Sequence, residues 1–202
     1  MDYAGSQINI GNISTSEKEI KDIIKAWLAI SAAFGIVLSS SLSGFYINVV
    51  IAALTVGVGF LLHELGHKFV AQRYGCFAEF RSFDNMLLLA IAMSFFGFVF
   101  AAPGAVMISG RINKRKNGII SAAGPLVNIA LAIMFLALSF AGLPTIFKLV
   151  ASYGFMINSW LALFNMLPFW LFDGSKVWAW SKTAYALIAA SAFALVFAGS
   201  FS

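Results

Sequence analysis

The chain has 202 residues, of which 61% are hydrophobic and 10% charged, and its net charge is +5. Several apolar runs are long enough to cross a hydrocarbon core of about 30 Å, which excludes an ordinary soluble domain. The basic residues flank those runs and form no single stripe interleaved with exposed aromatics, so they are explained by lipid topology and no nucleic-acid partner is expected.

Residues 1–25 are polar and lack the short apolar core and small-residue cleavage site of a signal peptide, so the chain is expected to begin in the cytosol. Ser16 and Glu19 have the spacing of a capping box, and Ile20, Ile23, Ile24 and Trp27 then recur at helical intervals. An amphipathic lead-in to the first membrane segment follows from this. Asn12-Ile13-Ser14 matches a glycosylation sequon that would be silent on a cytosolic tail. Cys76 is the only cysteine, which rules out an intrachain disulfide.

Long apolar runs occupy residues 26–42, 46–68, 86–109, 118–142, 146–168 and 184–199. The connections between them are short and leave no room for a separate soluble domain, which predicts one membrane-embedded domain over residues 26–202. The expected fold is an all-α polytopic membrane protein with about six membrane segments. The lysines and arginines test that count. Six full crossings would place seven of the thirteen on the N-terminal side and six opposite, which is no bias. If residues 86–109 enter the bilayer and return, only Lys148 lies across from the other twelve, as the positive-inside rule expects. Pro103-Gly104 supplies the turn, with an apolar helix before it and a short extended run over residues 105–108 after it. Five full spans and one re-entrant helix/strand hairpin are therefore expected, with the N-terminus in the cytosol.

His63-Glu64-Leu65-Gly66-His67 has the H-E-x-x-H spacing. On a helix, positions i and i+4 lie about 40° apart, so two imidazoles can share one metal ion while the intervening carboxylate reaches a water on it. These are the only histidines in the chain, and they follow a stretch over residues 47–62 without a charged residue. Polar groups at that depth are costly and are by default functional. A catalytic zinc usually takes three protein ligands, and the carboxylates after His67 are Glu79, Asp84 and Asp173. Glu79 and Asp84 lie in a basic loop with Arg73, Arg81 and Cys76, where a solvated charge is expected. Asp173 is the sole acidic residue after Asp84 and stands beside Gly174. With five spans and a hairpin, Asp173 and the histidine pair lie at span ends on one side, the cytosolic one. Six crossings would separate them.

The chain resembles the site-2 protease family of intramembrane zinc metalloproteases over roughly residues 56–178, in three ordered blocks. They are His63 to His67, then Gly124-Pro125-Leu126-Val127-Asn128, then Asn165-Met166-Leu167-Pro168 with Asp173-Gly174. The resemblance implies one catalytic Zn2+ held by His63, His67 and Asp173, with Glu64 as acid and base. It also implies a three-helix catalytic core within about residues 46–180 and a transmembrane protein as substrate. A single glycine follows Asp173 where relatives often carry two. Helix packing is the stronger expectation for Gly124, Pro125 and Asn128, with Asn128 the weaker of two candidate substrate-binding residues. Asn165 is the other, since its amide can hold a substrate carbonyl or cap backbone. Trp170, Trp178 and Trp180 are expected as interface anchors. A metal-ion transporter also lines its path with His and carboxylates but needs no Glu64 between the ligands, and an inactive protease-like scaffold would not need the full residue set.

Overall fold

In the computed structural model, residues 7–10, 13–39, 42–99, 103–169 and 171–199 are described. Asn12 of the sequon and Trp170 lie outside them. A short hairpin, β1 (Gln7–Ile10) and β2 (Ile13–Ser16), leads into α1 (Glu17–Val37). Helix α2 (Leu42–Ala52) continues through one π-helical turn (Ala53–Gly57) into α3 (Val58–Arg73). Then come β3 (Phe77–Ser82), α4 (Asp84–Ser94), β4 (Gly104–Ser109), α5 (Lys114–Ser139), α6 (Thr145–Asn165), α7 (Asp173–Trp180) and α8 (Lys182–Gly199). The chain clusters into two compact units, and α3 contributes to both, changing from one to the other between His67 and Lys68.

The first unit holds α1, α2, the end of α3, and the β3–α4–β4 segment. Ser16 caps α1 by accepting from the Glu19 backbone N–H at 3.2 Å, which is half of the expected capping box. The other half is not made as expected, because the Glu19 carboxylate is drawn into the interior. Its Oε1 accepts from the Phe80 N–H at 2.8 Å, and its Oε2 accepts from Lys68 Nζ at 2.5 Å and the Thr15 hydroxyl at 2.7 Å. Gln72, one turn beyond Lys68, donates to the carbonyls of Ser14 and Ala78 and accepts from the Ser14 N–H. The N-terminal end of α1 is thereby tied to the C-terminal end of α3. At the other end of α1, the Asn48 amide donates to the Leu38 carbonyl. Between these ends the Trp27 indole donates to the Ala53 carbonyl, in the π-helical turn where the regular backbone pattern is interrupted.

Strands β3 and β4 pair antiparallel with Phe77 opposite Ser109 and Ser82 opposite Gly104, and the Phe83 N–H donates to the Pro103 carbonyl. The segment between them therefore leaves and returns at one place. Its helix α4, at eleven residues, is about 16 Å long, roughly half of a hydrocarbon core.

The second unit holds the start of α3 and α5 to α8. Helix α5 packs against α6, α7 and α8. Ala122, Met166, Val177 and Ile188 make one buried cluster, and Ala132, Phe135 and Phe155 another. Trp180 is half-buried and packs against the first cluster. Trp178 is exposed, with Lys182 Nζ over its ring at 5.4 Å.

Among the described residues, four helices are long and apolar enough to cross a membrane, at Gly44–Arg73, Lys114–Ser139, Thr145–Asn165 and Lys182–Gly199. Helix α1 is not among them. It starts nine residues before the expected span, and six of its first nine residues are charged.

Candidate metal centre

Helix α3 presents His63 and His67 from one face, and α7 presents Asp173 from its first turn. All three are buried. His63 Nε2 and His67 Nε2 are 3.1 Å apart, and Asp173 Oδ2 lies 3.3 Å from the first and 3.1 Å from the second. These are the only His, Cys, Asp or Glu residues that converge in this way among the described residues. Asp173 reaches the pair because α6 ends at Asn165 and a separate helix, α7, begins at Asp173. The approach is tight: a Cβ on Gly174 would stand 2.3 Å from the Met166 carbonyl oxygen, which accounts for glycine after the aspartate.

The opposite ring nitrogens are committed. His63 Nδ1 lies 2.6 Å from Asn128 Oδ1, and His67 Nδ1 lies 2.8 Å from the Ile120 carbonyl oxygen. Both neighbours are acceptors, so both Nδ1 atoms carry the proton and both Nε2 atoms keep their lone pair. Two imidazole lone pairs and a carboxylate oxygen thus point at one another in a buried site, an arrangement that repels unless a cation stands between them. Zinc fits the spacing. With ligand bonds of about 2.0–2.2 Å, the edge of a tetrahedron is about 3.3–3.6 Å, so separations of 3.1–3.3 Å lie at its short end and need only a slight opening. Space for it is kept by Gly124 of α5, where a Cβ would fall 2.5 Å from both Nε2 atoms.

The remaining sequence candidates separate clearly. Glu64 is half-buried on α3 between the two histidines. Asn128 is fully buried and its carboxamide is spent on His63, on the Gly59 carbonyl and on Asn158, so it holds a histidine and offers substrate nothing. Asn165 donates to the Leu161 carbonyl of its own helix, the backbone role of the two expected for it. Glu79 is buried and ion-paired with Arg81, correcting the expectation of a solvated charge, whereas Asp84 is exposed and pairs with Lys25. Cys76 is buried outside the cluster.

Sequence reasoning missed Asn158, fully buried on α6, and Lys176, whose Nζ lies 3.6 Å from Asp173 Oδ1. Asn158 was open to discovery as an amide in the middle of an apolar run.

Comparison with known proteins agrees with this donor set. The chain is 40% identical over 177 residues to the predicted zinc metalloprotease MJ0611 of Methanocaldococcus jannaschii, covering 86% of this chain and 90% of that protein. It belongs to that zinc metalloprotease family. A second relative from the same organism, zinc metalloprotease MJ0392, is 30% identical over 126 residues. That match takes in 59% of this chain but 31% of MJ0392, which is much the longer protein. No family model and no solved structure matches the chain. Membership of a zinc metalloprotease family gives the His63, His67 and Asp173 cluster an ion of matching chemistry.

Proposed function

We propose that this chain is an intramembrane zinc metalloprotease of the site-2 type, which hydrolyses a peptide bond within or near a transmembrane segment of another membrane protein. The observation that carries this reading is the triangle of three lone-pair atoms, each ring held by its far nitrogen, on helices of a strongly apolar chain. His63, His67 and Asp173 hold the ion. When bound, zinc supplies Lewis acidity, polarising a carbonyl and lowering the pKa of a water to roughly 7. Glu64 takes a proton from the attacking water as oxygen adds to the scissile carbonyl carbon, and returns it to the amine as the C–N bond breaks. Glu64 suits this because it is half-exposed and beside the ligands without being one of them.

A transmembrane substrate keeps its carbonyls in helical hydrogen bonds and must unwind before attack. Strand β4, paired with β3 in a two-stranded sheet, is the element suited to hold an extended peptide by strand addition. The membrane topology follows the charge partition: five spans and a re-entrant hairpin, with the N-terminus and the catalytic end on the cytosolic side. Three features support it. Segment 83–103 leaves and returns at paired residues. Helix α4 is too short to cross. Helix α1 runs from the bond between Glu19 and Lys68 to the bond between its cap residue Leu38 and Asn48, so it extends alongside the α2–α3 helix.

The direct test incubates purified protein with a panel of single-span membrane proteins. Cleavage should be lost with a chelator, restored by zinc and absent in Glu64→Gln. Cleavage that survives in that variant overturns the mechanism. Impermeant thiol labelling in a Cys76→Ser background tests the topology: Asp84→Cys and Asn113→Cys should react from one face and Thr145→Cys from the other. Labelling of the first two from opposite faces rejects the hairpin.

A further inference from the structure

We propose that Asn158 is a positioning residue for the metal centre, which orients the Asn128 carboxamide and through it selects the tautomer of His63. The inference rests on the reading of His63 as a metal ligand.

The argument begins at a backbone carbonyl. Asn158 and Asn128 are both fully buried, so each polar atom of their carboxamides must find its partner inside the protein. The Asn158 Nδ2 lies 2.8 Å from the Gly154 carbonyl oxygen, one turn back on α6. A carbonyl can only accept, which fixes nitrogen at that position and turns Asn158 Oδ1 the other way. That oxygen accepts from Asn128 Nδ2 at 2.9 Å, and the same nitrogen donates to the Gly59 carbonyl at 3.1 Å. With both of its amide protons placed, Asn128 must present Oδ1 to His63 Nδ1. An acceptor there holds the proton on Nδ1 and leaves Nε2 free to bind metal.

The alternative is specific. If Asn128 turned over, its NH2 group would face His63 Nδ1, and the ring would move its proton to Nε2 to accept that bond. His63 would then present an N–H toward His67 Nε2 and Asp173 Oδ2, closing the metal position with a hydrogen bond. Asn158 disfavours that orientation together with the Gly59 carbonyl, because turning Asn128 would set its oxygen against both of theirs, and Asn158 is the side chain of the two that substitution can remove. Helix α6 contributes no ligand to the cluster. It nevertheless enters the metal centre through this one side chain.

The experiment measures zinc affinity of the purified full chain by competition with a chromophoric chelator. Asn158→Leu should weaken zinc binding about ten-fold or more, the range seen when a group behind a ligating histidine is removed. Because Asn158 acts through Asn128, the pair must be non-additive: Asn158→Leu added to Asn128→Leu should weaken zinc binding no further. A merely structural role would lower thermal stability and leave the two affinity losses independent. If Asn158→Leu does not accumulate as folded protein, Asn158→Ser takes its place. Its hydroxyl can still bond the Gly154 carbonyl, but it withdraws the oxygen from Asn128, and the same loss of affinity is expected. Unchanged zinc affinity in the folded Asn158 variant, or additive losses in the double variant, overturns the proposal. Stoichiometric zinc retained by His63→Ala would instead overturn the ligand reading on which it stands.

Discussion

Consecutive residues of α3, His67 and Lys68, belong to two buried polar clusters of opposite character. Around Lys68, donors and acceptors alternate: its ammonium meets the Glu19 carboxylate, whose other oxygen takes the Phe80 N–H. That cluster balances its own charges. Around His67 the inward atoms are two imidazole nitrogens and a carboxylate oxygen, with every ring proton already given to Asn128 or Ile120. Both clusters are buried and hydrogen-bonded, so burial does not distinguish them. The distinguishing property is whether donors and acceptors alternate among the protein's own groups, and in the His67 cluster the two Nε2 atoms and Asp173 Oδ2 face one another with no donor placed between them.

The largest effects should come from breaking the open cluster. His63→Ala or His67→Ala should abolish stoichiometric zinc and activity together, measured as metal content after gel filtration. Asp173→Ala should weaken zinc affinity, whereas Glu79→Ala should leave it unchanged, because Glu79 is engaged with Arg81. Glu64→Gln separates chemistry from binding: metal content should stay at the wild-type level while turnover falls about 10²- to 10⁴-fold, the usual contribution of a general base.

The two clusters also differ in how far the sequence revealed them. His63, Glu64 and His67 were legible because helical spacing alone puts two rings on one face, and Asp173 because no other acidic residue follows Asp84. The extended run expected over residues 105–108 was legible after the Pro103-Gly104 turn, and it falls within β4. What stayed hidden depended on tertiary partners. Glu19 reads locally as the second half of a capping box, yet Lys68 and Phe80, 49 and 61 residues away, capture its carboxylate. Asn128 reads as a packing residue until the histidine opposite it is known. The start of α1, at Glu17, was legible from the Ser16 cap and lies nine residues before the apolar run, because apolarity marks where lipid begins and the cap marks where the helix begins.

The closed cluster should answer differently. Glu19→Ala leaves a buried ammonium without its counter-charge, which typically costs about 3–5 kcal/mol, and should appear as a marked fall in thermal midpoint. The folded fraction should still bind one zinc. Adding Lys68→Met to Glu19→Ala should recover most of the loss, because an apolar pair restores the balance that one unpartnered charge destroys. Loss of zinc binding in the folded double variant would show that the two clusters are not independent.

The smallest effect belongs to a third pair, Lys25 with Asp84, which is made of the same groups as Lys68 with Glu19 but stands in solvent. Water and salt screen it, so Asp84→Asn should shift the thermal midpoint little and leave metal content unchanged. Its pH dependence has a definite sign. The hydrogen bond from Lys25 holds the Asp84 carboxyl below its ordinary value of 3.8, so whatever stability the pair adds is present above that value and fades as pH falls through the lowered one. The same bond raises the Lys25 ammonium above 10.5, so the contribution is lost again only as pH rises past that raised value. Between these limits, the difference in midpoint between wild type and Asp84→Asn should be flat with pH and should shrink as salt is added. A difference as large as that of Glu19→Ala would mean that exposure is not what separates the two ion pairs.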